Sequence, residues 1–227
     1  MHDQNLANLE KAEQILRWFR TCAVCRSIWP PIDTVCERCA HQLFRSINRG
    51  PRLSQPGYPF PVYSLWTWTR ENEHLIRPFL HAFKGGRGVR RGRELVQILL
   101  FERGKESRKP HYLHPPAGSR KRDHAWLLAH CFAEISGAEG IEALEDQTPR
   151  PGGQKHLSAV ERAERRLSLS GDRHEICTTT NSSWIFVDDV ITSGATAMAA
   201  YMALGDPARF EVWTLVCRPK LAVKSSF

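Results

Sequence analysis

The stretch Ile185-Phe186-Val187-Asp188-Asp189-Val190-Ile191-Thr192-Ser193-Gly194-Ala195-Thr196 decides the fold. It opens on an unbroken apolar run from Trp184 to Val187, the pattern of a strand covered on both faces. Two acids follow, then small and hydroxylated residues, and a helix is predicted over residues 194–204. In an open α/β sheet this order carries the acids to the carboxyl edge, where ligands sit. Two adjacent carboxylates can accept hydrogen bonds from the paired hydroxyls of a ribose, or hold a divalent cation. The small residues let backbone N–H groups close around a phosphate. The hydroxyls of Thr192, Ser193 and Thr196 add donors, and the helix N-terminus supplies a favourable dipole. Ala195 keeps the turn small, and Gly194 removes the side chain where backbone must approach the ligand. An ordinary strand-to-helix turn rarely joins two acids to T-x-G-x-T.

Outward from this stretch, strands alternate with helices. Residues 210–216 read as a last strand, and residues 62–69 are rich in β-formers. Leu75, Ile76, Phe79, Leu80 and Phe83 recur at helical spacing, with Pro78 inside the run. Residues 94–101 continue helically, and 102–110 read as a charged loop. Residues 112–113 and 141–144 are short strand candidates, while 125–135 and the densely charged 157–169 read as helices. The alternation predicts an α/β domain with a mostly parallel sheet flanked by helices.

The N-terminal part reads differently. Leu6, Leu9, Ala12, Leu16 and Phe19 form one helical stripe ending near Arg20. Cys22-Ala23-Val24-Cys25 and Cys36-Glu37-Arg38-Cys39 are two C-x-x-C knuckles separated by ten residues. Two such knuckles complete a tetrahedron of sulfurs, which suits zinc as a closed, structural site. Redox dithiols and an iron–sulfur cluster are the alternatives, and the even pairing favours zinc. Cys131, Cys177 and Cys217 lack such spacing and read as small core residues. Residues 48–61, rich in Gly, Pro, Ser and Arg, read as a linker. The expected division is a helix and zinc module over 1–47 and a main domain over 62–227.

Composition sets limits. The chain has 227 residues, 41% hydrophobic and 25% charged, enough for one full domain and a small appendage. No apolar run approaches the roughly 20 residues of a membrane span, so no membrane insertion is expected. Residues 1–10 lack a basic region followed by an apolar one, and a cytoplasmic location is the expectation. Lys and Arg total 32 against 24 Asp and Glu, a formal charge of +8 that favours anionic partners.

Residues 187–196 resemble the phosphoribosyl pyrophosphate (PRPP) fingerprint of type I phosphoribosyltransferases. With the four-cysteine module upstream, the chain resembles the ComF family, competence-associated proteins that join a zinc module to a phosphoribosyltransferase-like domain. Leu75-Ile76, Phe83-Lys84 and Gly85-Gly86 are similar to that family's helix and its Phe-Lys-x-x-Gly segment. Gln154-x-x-Leu157-Ser158-x-x-Glu161-Arg162 is similar to its Gln-x-x-Leu-Ser-x-x-Glu-Arg stretch. The family's Arg-Gly-Phe-Asn-Gln is replaced here by Arg120-Lys121-Arg122-Asp123-His124, which keeps only the leading Arg.

The resemblance implies a type I phosphoribosyltransferase-like fold over residues 62–227. It implies PRPP as ligand, magnesium bound with it, and displacement of pyrophosphate by a nitrogen nucleophile. Asp188 and Asp189 would meet the ribose hydroxyls, and Thr192, Ser193, Gly194, Ala195 and Thr196 the 5′-phosphate. Lys84, Arg120, Lys121 and Arg122 are candidates for the pyrophosphate side. His124 and His156 are available as acids or bases, and no catalytic residue is assigned. The competing expectation is a non-catalytic factor in DNA uptake that binds single-stranded DNA or uptake proteins. Its clues are the basic runs at 87–93 and 103–109 and the aromatics Trp66 and Trp68, although the aromatics read more simply as core and the runs as solvated surface.

Overall fold

The computed structural model describes residues 22, 24–25, 36–47, 58–84, 92–103, 110–116, 124–147, 167–170 and 182–218. In chain order these form α1 (Glu37–Arg45), β1 (Val62–Thr67), α2 (Glu73–Lys84), α3 (Gly92–Arg103), β2 (His111–Leu113) and α4 (His124–Ser136). There follow β3 (Glu139–Ile141), β4 (Leu144–Asp146), β5 (Leu167–Leu169), β6 (Trp184–Ile191), α5 (Ala195–Ala203) and β7 (Phe210–Cys217). The predicted helices over residues 6–20 and 157–166 lie outside the described residues.

Five strands make one sheet in the order β1-β7-β6-β2-β3. Every pairing in it is parallel. Strand β6 is therefore interior, bonded to β7 and β2. Such a position demands apolar side chains on both faces. Trp184, Ile185, Phe186 and Val187 are all buried. They alternate between two cores. Ile185 and Val187 join Trp213 and Leu215 of β7 against α2, α3 and α4. Trp184 and Phe186 join Phe210 and Val212 against α5. The protein is thus a three-layer α/β structure with its sheet in the middle.

Several sequence-based boundaries move. Residues 141–144 divide between two strands, β3 of the main sheet and β4 of a separate antiparallel pair with β5. Residues 167–169, read as the end of a charged helix, are strand β5, with Leu169 opposite Leu144. Helix α3 runs to Arg103, into the stretch read as loop. Helix α2 retains Pro78 in its interior. Its apolar stripe of Leu75, Ile76, Phe79, Leu80 and Phe83 is buried, and that packing outweighs the lost backbone bond.

Helix α1 packs on the same core as the sheet. Cys39 and Leu43 are buried in it with Trp66, Ile76 and Phe79. The Trp66 indole N–H donates to the Leu43 carbonyl at 2.9 Å. Ile47 makes a bridge with Trp66. Trp66 is fully buried and meets Phe79 edge to face at 5.0 Å, so it is a core residue and offers no surface to a nucleobase. Trp68 is half-buried, with the Arg218 guanidinium carbon 4.9 Å from its ring centre. No described helix is long and apolar enough to cross a membrane.

Candidate functional site

The site lies where β6 ends and α5 begins. The strand continues through both acids to Ile191, because β7 pairs with it as far as Cys217. A short turn follows, and Gly194 precedes the helix with φ of 69°. Only glycine adopts that left-handed conformation without strain. The Gly194 carbonyl accepts the first helical bond, from Met198 N–H at 2.8 Å. The groove at this turn is lined by Phe186, Asp188, residues 190–197 and Val212. Backbone N–H groups at a helix start and the hydroxyls of Thr192, Ser193 and Thr196 make the groove suited to an anionic oxygen cluster.

The two acids leave the strand in different directions, and their carboxyls stay within hydrogen-bonding reach of each other. Side chains of consecutive strand residues point to opposite faces of a sheet. Asp188 faces the groove. Asp189 is 4% exposed on the other face. There Lys84 Nζ, from the end of α2, lies 2.7 Å from Asp189 Oδ2. His124 Nε2, from the start of α4, lies 3.4 Å from Oδ1. Phe83 packs edge-on to the His124 ring at 6.4 Å. The Asp189 N–H donates to Asp188 Oδ1 at 2.8 Å, tying the pair together through the backbone.

These surroundings split the acidity of the pair. Burial pushes the Asp188 carboxyl up, and the charge of Asp189 adds to it, so that it holds its proton to about 8. Burial also acts upward on Asp189. The hydrogen bond from His124 and the charge of Lys84 outweigh it and hold that carboxyl well below the usual carboxylate range. The two shifts run in opposite directions, and Lys84 stands against the carboxyl that is held low.

Tyr58 belongs to this site, although it falls in the stretch read as a linker. A Cβ built on Gly194 would stand 2.4 Å from the Tyr58 ring and hydroxyl. The phenol thus presses on the turn where no side chain fits. Tyr58 is stacked on Phe60 with 5.5 Å between ring centres. Phe60 is 2% exposed and wedged against Tyr201 of α5 and Phe210 of β7. This aromatic column holds Tyr58 beside the turn.

The four cysteines of the knuckles come together at the N-terminus of α1. Their sulfurs all lie within 4.8 Å of one another. Cys22 and Cys25 sulfurs are 3.0 Å apart, and Cys25 and Cys36 sulfurs 3.5 Å. None of the four is in a disulfide. A tetrahedron of thiolates at about 2.3 Å from zinc has edges of about 3.8 Å, so the cluster already has the right size. Burial pushes the Cys36 and Cys39 thiols up, and the neighbouring sulfurs add to the effect at Cys39. A dication at the centre removes that penalty by pairing with the thiolates. The four residues thus fit a metal such as zinc, with Cys22 and Cys39 buried and Cys25 at the surface.

Of the residues expected to meet PRPP, Asp188, Thr192, Ser193, Gly194, Ala195 and Thr196 are gathered around the groove. Asp189 and Lys84 are brought to each other on the opposite face. Arg120, Lys121, Arg122 and His156 lie outside the described residues. Arg93, from the first basic run, is paired with Glu134 of α4 at 2.6 Å. The chain matches no protein-family model and no curated protein.

Proposed function

We propose that this protein binds PRPP and is a phosphoribosyltransferase-like protein of the ComF type. The observation that carries this reading is the groove at the end of β6. It combines a glycine-started helix, three hydroxyl side chains and one acid at the carboxyl edge of a parallel sheet. The turn over residues 192–196 would hold the 5′-phosphate through backbone N–H groups and hydroxyls. Asp188 would meet the ribose hydroxyls. Its carboxyl oxygens would accept hydrogen bonds from them.

The reaction that fits is displacement of pyrophosphate from the anomeric carbon by a nitrogen nucleophile. The transition state is a sugar cation, and the protein's share is positioning and charge stabilisation. Among the described residues, the only cluster of three or more His, Cys, Asp or Glu able to hold a metal is the four cysteines. Magnesium bound with PRPP would supply charge neutralisation of the leaving pyrophosphate. The basic residues Arg120, Lys121 and Arg122 are the candidates to receive that end of the ligand. Zinc in the cysteine cluster would be structural, holding α1 against Trp66.

The single-strand-binding alternative has less behind it, because Trp66 is buried and Arg93 is paired. Calorimetric titration of PRPP with magnesium into wild type and Asp188→Ala tests the reading. Saturable binding that the substitution abolishes is expected. Equal heats from both proteins would sink it. Single-stranded DNA in the same cell separates the two readings, since its binding weakens steeply with salt and that of a pocket ligand far less.

A further inference from the structure

The carboxyl ends of β1, β7 and β6 stand level. Thr67 pairs with Cys217, and Cys217 with Ile191. One residue further on, the Trp68 N–H donates to the Cys217 carbonyl at 2.7 Å, and the Arg218 N–H to the Ile191 carbonyl at 2.8 Å. Neighbouring strands lie about 4.8 Å apart, so Arg218 leaves β7 between Trp68 and the start of the turn at Thr192. Arg218 is exposed, and its guanidinium carbon lies 4.9 Å from the Trp68 ring centre. The Trp68 ring packs on the main core. Its enclosed N–H has no hydrogen-bond partner among the described residues, so packing and the guanidinium hold the ring. The residues lining the groove include three hydroxyls but no cation. A phosphate monoester brings about two negative charges at neutral pH. Lys84 is already engaged by Asp189. Among the described residues no carboxylate lies within ion-pair distance of Arg218. A guanidinium is always charged, weakly hydrated and shaped to take two phosphate oxygens, and an aromatic face steadies it without neutralising it.

We propose that Arg218 is the cation of the phosphate site, held on Trp68 beside the turn so that its guanidinium takes a phosphate monoester at residues 192–196. The proposal rests on the PRPP reading for the rest of the ligand. The flank on which Arg218 stands decides which end of that ligand it meets. Arg120, Lys121 and Arg122, the candidates for the pyrophosphate, follow β2, which pairs with β6 on the side away from β7. Arg218 stands on the β7 side, so its partner is the 5′-phosphate. Trp68 is a positioning residue that acts through the guanidinium. No local motif marks Arg218, because Trp68 and Thr192 reach it only through the pairing of three strands.

The experiment is calorimetric titration of the full chain with ribose 5-phosphate and, separately, with PRPP and magnesium. The variants are Arg218→Gln, Arg218→Lys, Trp68→Leu and the double variant Trp68→Leu/Arg218→Gln. Arg77→Gln, on the exposed side of α2, controls for the loss of one positive charge. Thermal melting shows that each variant is folded. Arg218→Gln is expected to weaken both ligands by the same factor, about tenfold or more, the order of a lost hydrogen bond to a charged group. Its melting temperature and the affinity of Arg77→Gln should match wild type. Arg218→Lys keeps the charge without the fork and recovers part of the loss. Trp68→Leu is expected to cost about threefold, the order of one exposed cation–π contact. The double variant should bind no more weakly than Arg218→Gln, because Trp68 acts only through the guanidinium. Additive losses would overturn that role for Trp68. Unchanged affinity of Arg218→Gln for ribose 5-phosphate would overturn the proposal, and so would a loss confined to PRPP, which would put Arg218 at the pyrophosphate. If wild type takes ribose 5-phosphate and PRPP no more tightly, the PRPP reading fails, and a loss of ribose 5-phosphate in Arg218→Gln still upholds the proposal. A wild type that takes neither ligand overturns both.

Discussion

The cysteine cluster and the acid pair are both built from close neighbours in sequence, yet the fold treats them in opposite ways. In the cluster, two knuckles bring four sulfurs within 4.8 Å of one another. In the pair, a strand starts two adjacent side chains toward opposite faces, so that one lines the groove and the other meets Lys84. A turn folds its residues around a point, whereas a strand separates each residue from the next. Spacing alone therefore identifies a ligand set on a turn. On a strand it identifies only an edge, and the partners that reach each face decide the roles.

The largest effect should come from the cluster. Purified protein is expected to carry about one zinc per chain by atomic absorption, and Cys39→Ser should lose it. Structural zinc in comparable sites contributes on the order of 10 kcal/mol of folding free energy. Stripping the metal should therefore undo the docking of α1 on Trp66, read as a red shift of tryptophan fluorescence. A metal-free protein with unchanged fluorescence would remove zinc from the comparison.

Next in size is the turn. Gly194→Ala meets both the positive φ and the Tyr58 ring 2.4 Å away. The backbone costs about 1–2 kcal/mol and the overlap about 1–3 more. Chemical denaturation should show that loss, with Gly194→Ala/Tyr58→Ala recovering part of it. No recovery would mean that Tyr58 does not set the turn.

Lys84→Met comes third. Stranding a buried carboxylate costs several kcal/mol where both charges are buried. Lys84 is 47% exposed, so solvent screens the pair and about 1–2 kcal/mol is expected from urea melts. A cost near zero would show that His124 holds Asp189 unaided.

The smallest effect tests the other face of the strand. Asp188 keeps its proton in the folded chain to about 8, whereas the unfolded chain releases it near the ordinary value of 3.8. Between those values the folded state binds more protons, so stability falls as pH rises. Asp188→Asn should flatten that slope in chemical denaturation followed across pH. A variant with the wild-type slope would show that Asp188 is ionised at neutral pH. Asp189, held low, has the opposite sign. Its stabilisation is full above the ordinary carboxylate value and is lost only in strong acid.

Much of this was readable in the chain. Four apolar residues before two acids marked a strand covered on both faces, and β6 is interior to the sheet. The cysteine spacing marked the cluster. Other features had no local signal. Leu167, Ser168 and Leu169 follow a charged stretch with helical spacing, and only Leu144, Glu145 and Asp146 opposite them make a strand. Trp66 and Trp68 look alike in a β-rich run. Trp66 is buried because α1 and α2 cover it, while Trp68 lies just past the end of β1. Tyr58 stands among prolines and glycines, and its contact with Gly194 crosses most of the chain.

Local spacing by itself determined the strand, the glycine turn, the helix after it and the chemistry of the sulfur cluster. Those features depend on residues within a few positions of one another, where backbone geometry leaves few choices. Tertiary structure alone decided which acid opens to the groove, which basic groups claim the other, and which aromatic braces the turn. Those outcomes depend on helix ends and side chains that meet only after the sheet has been packed on both faces. The charge state of Asp188 follows from the same packing, because burial and a charged neighbour act on it together.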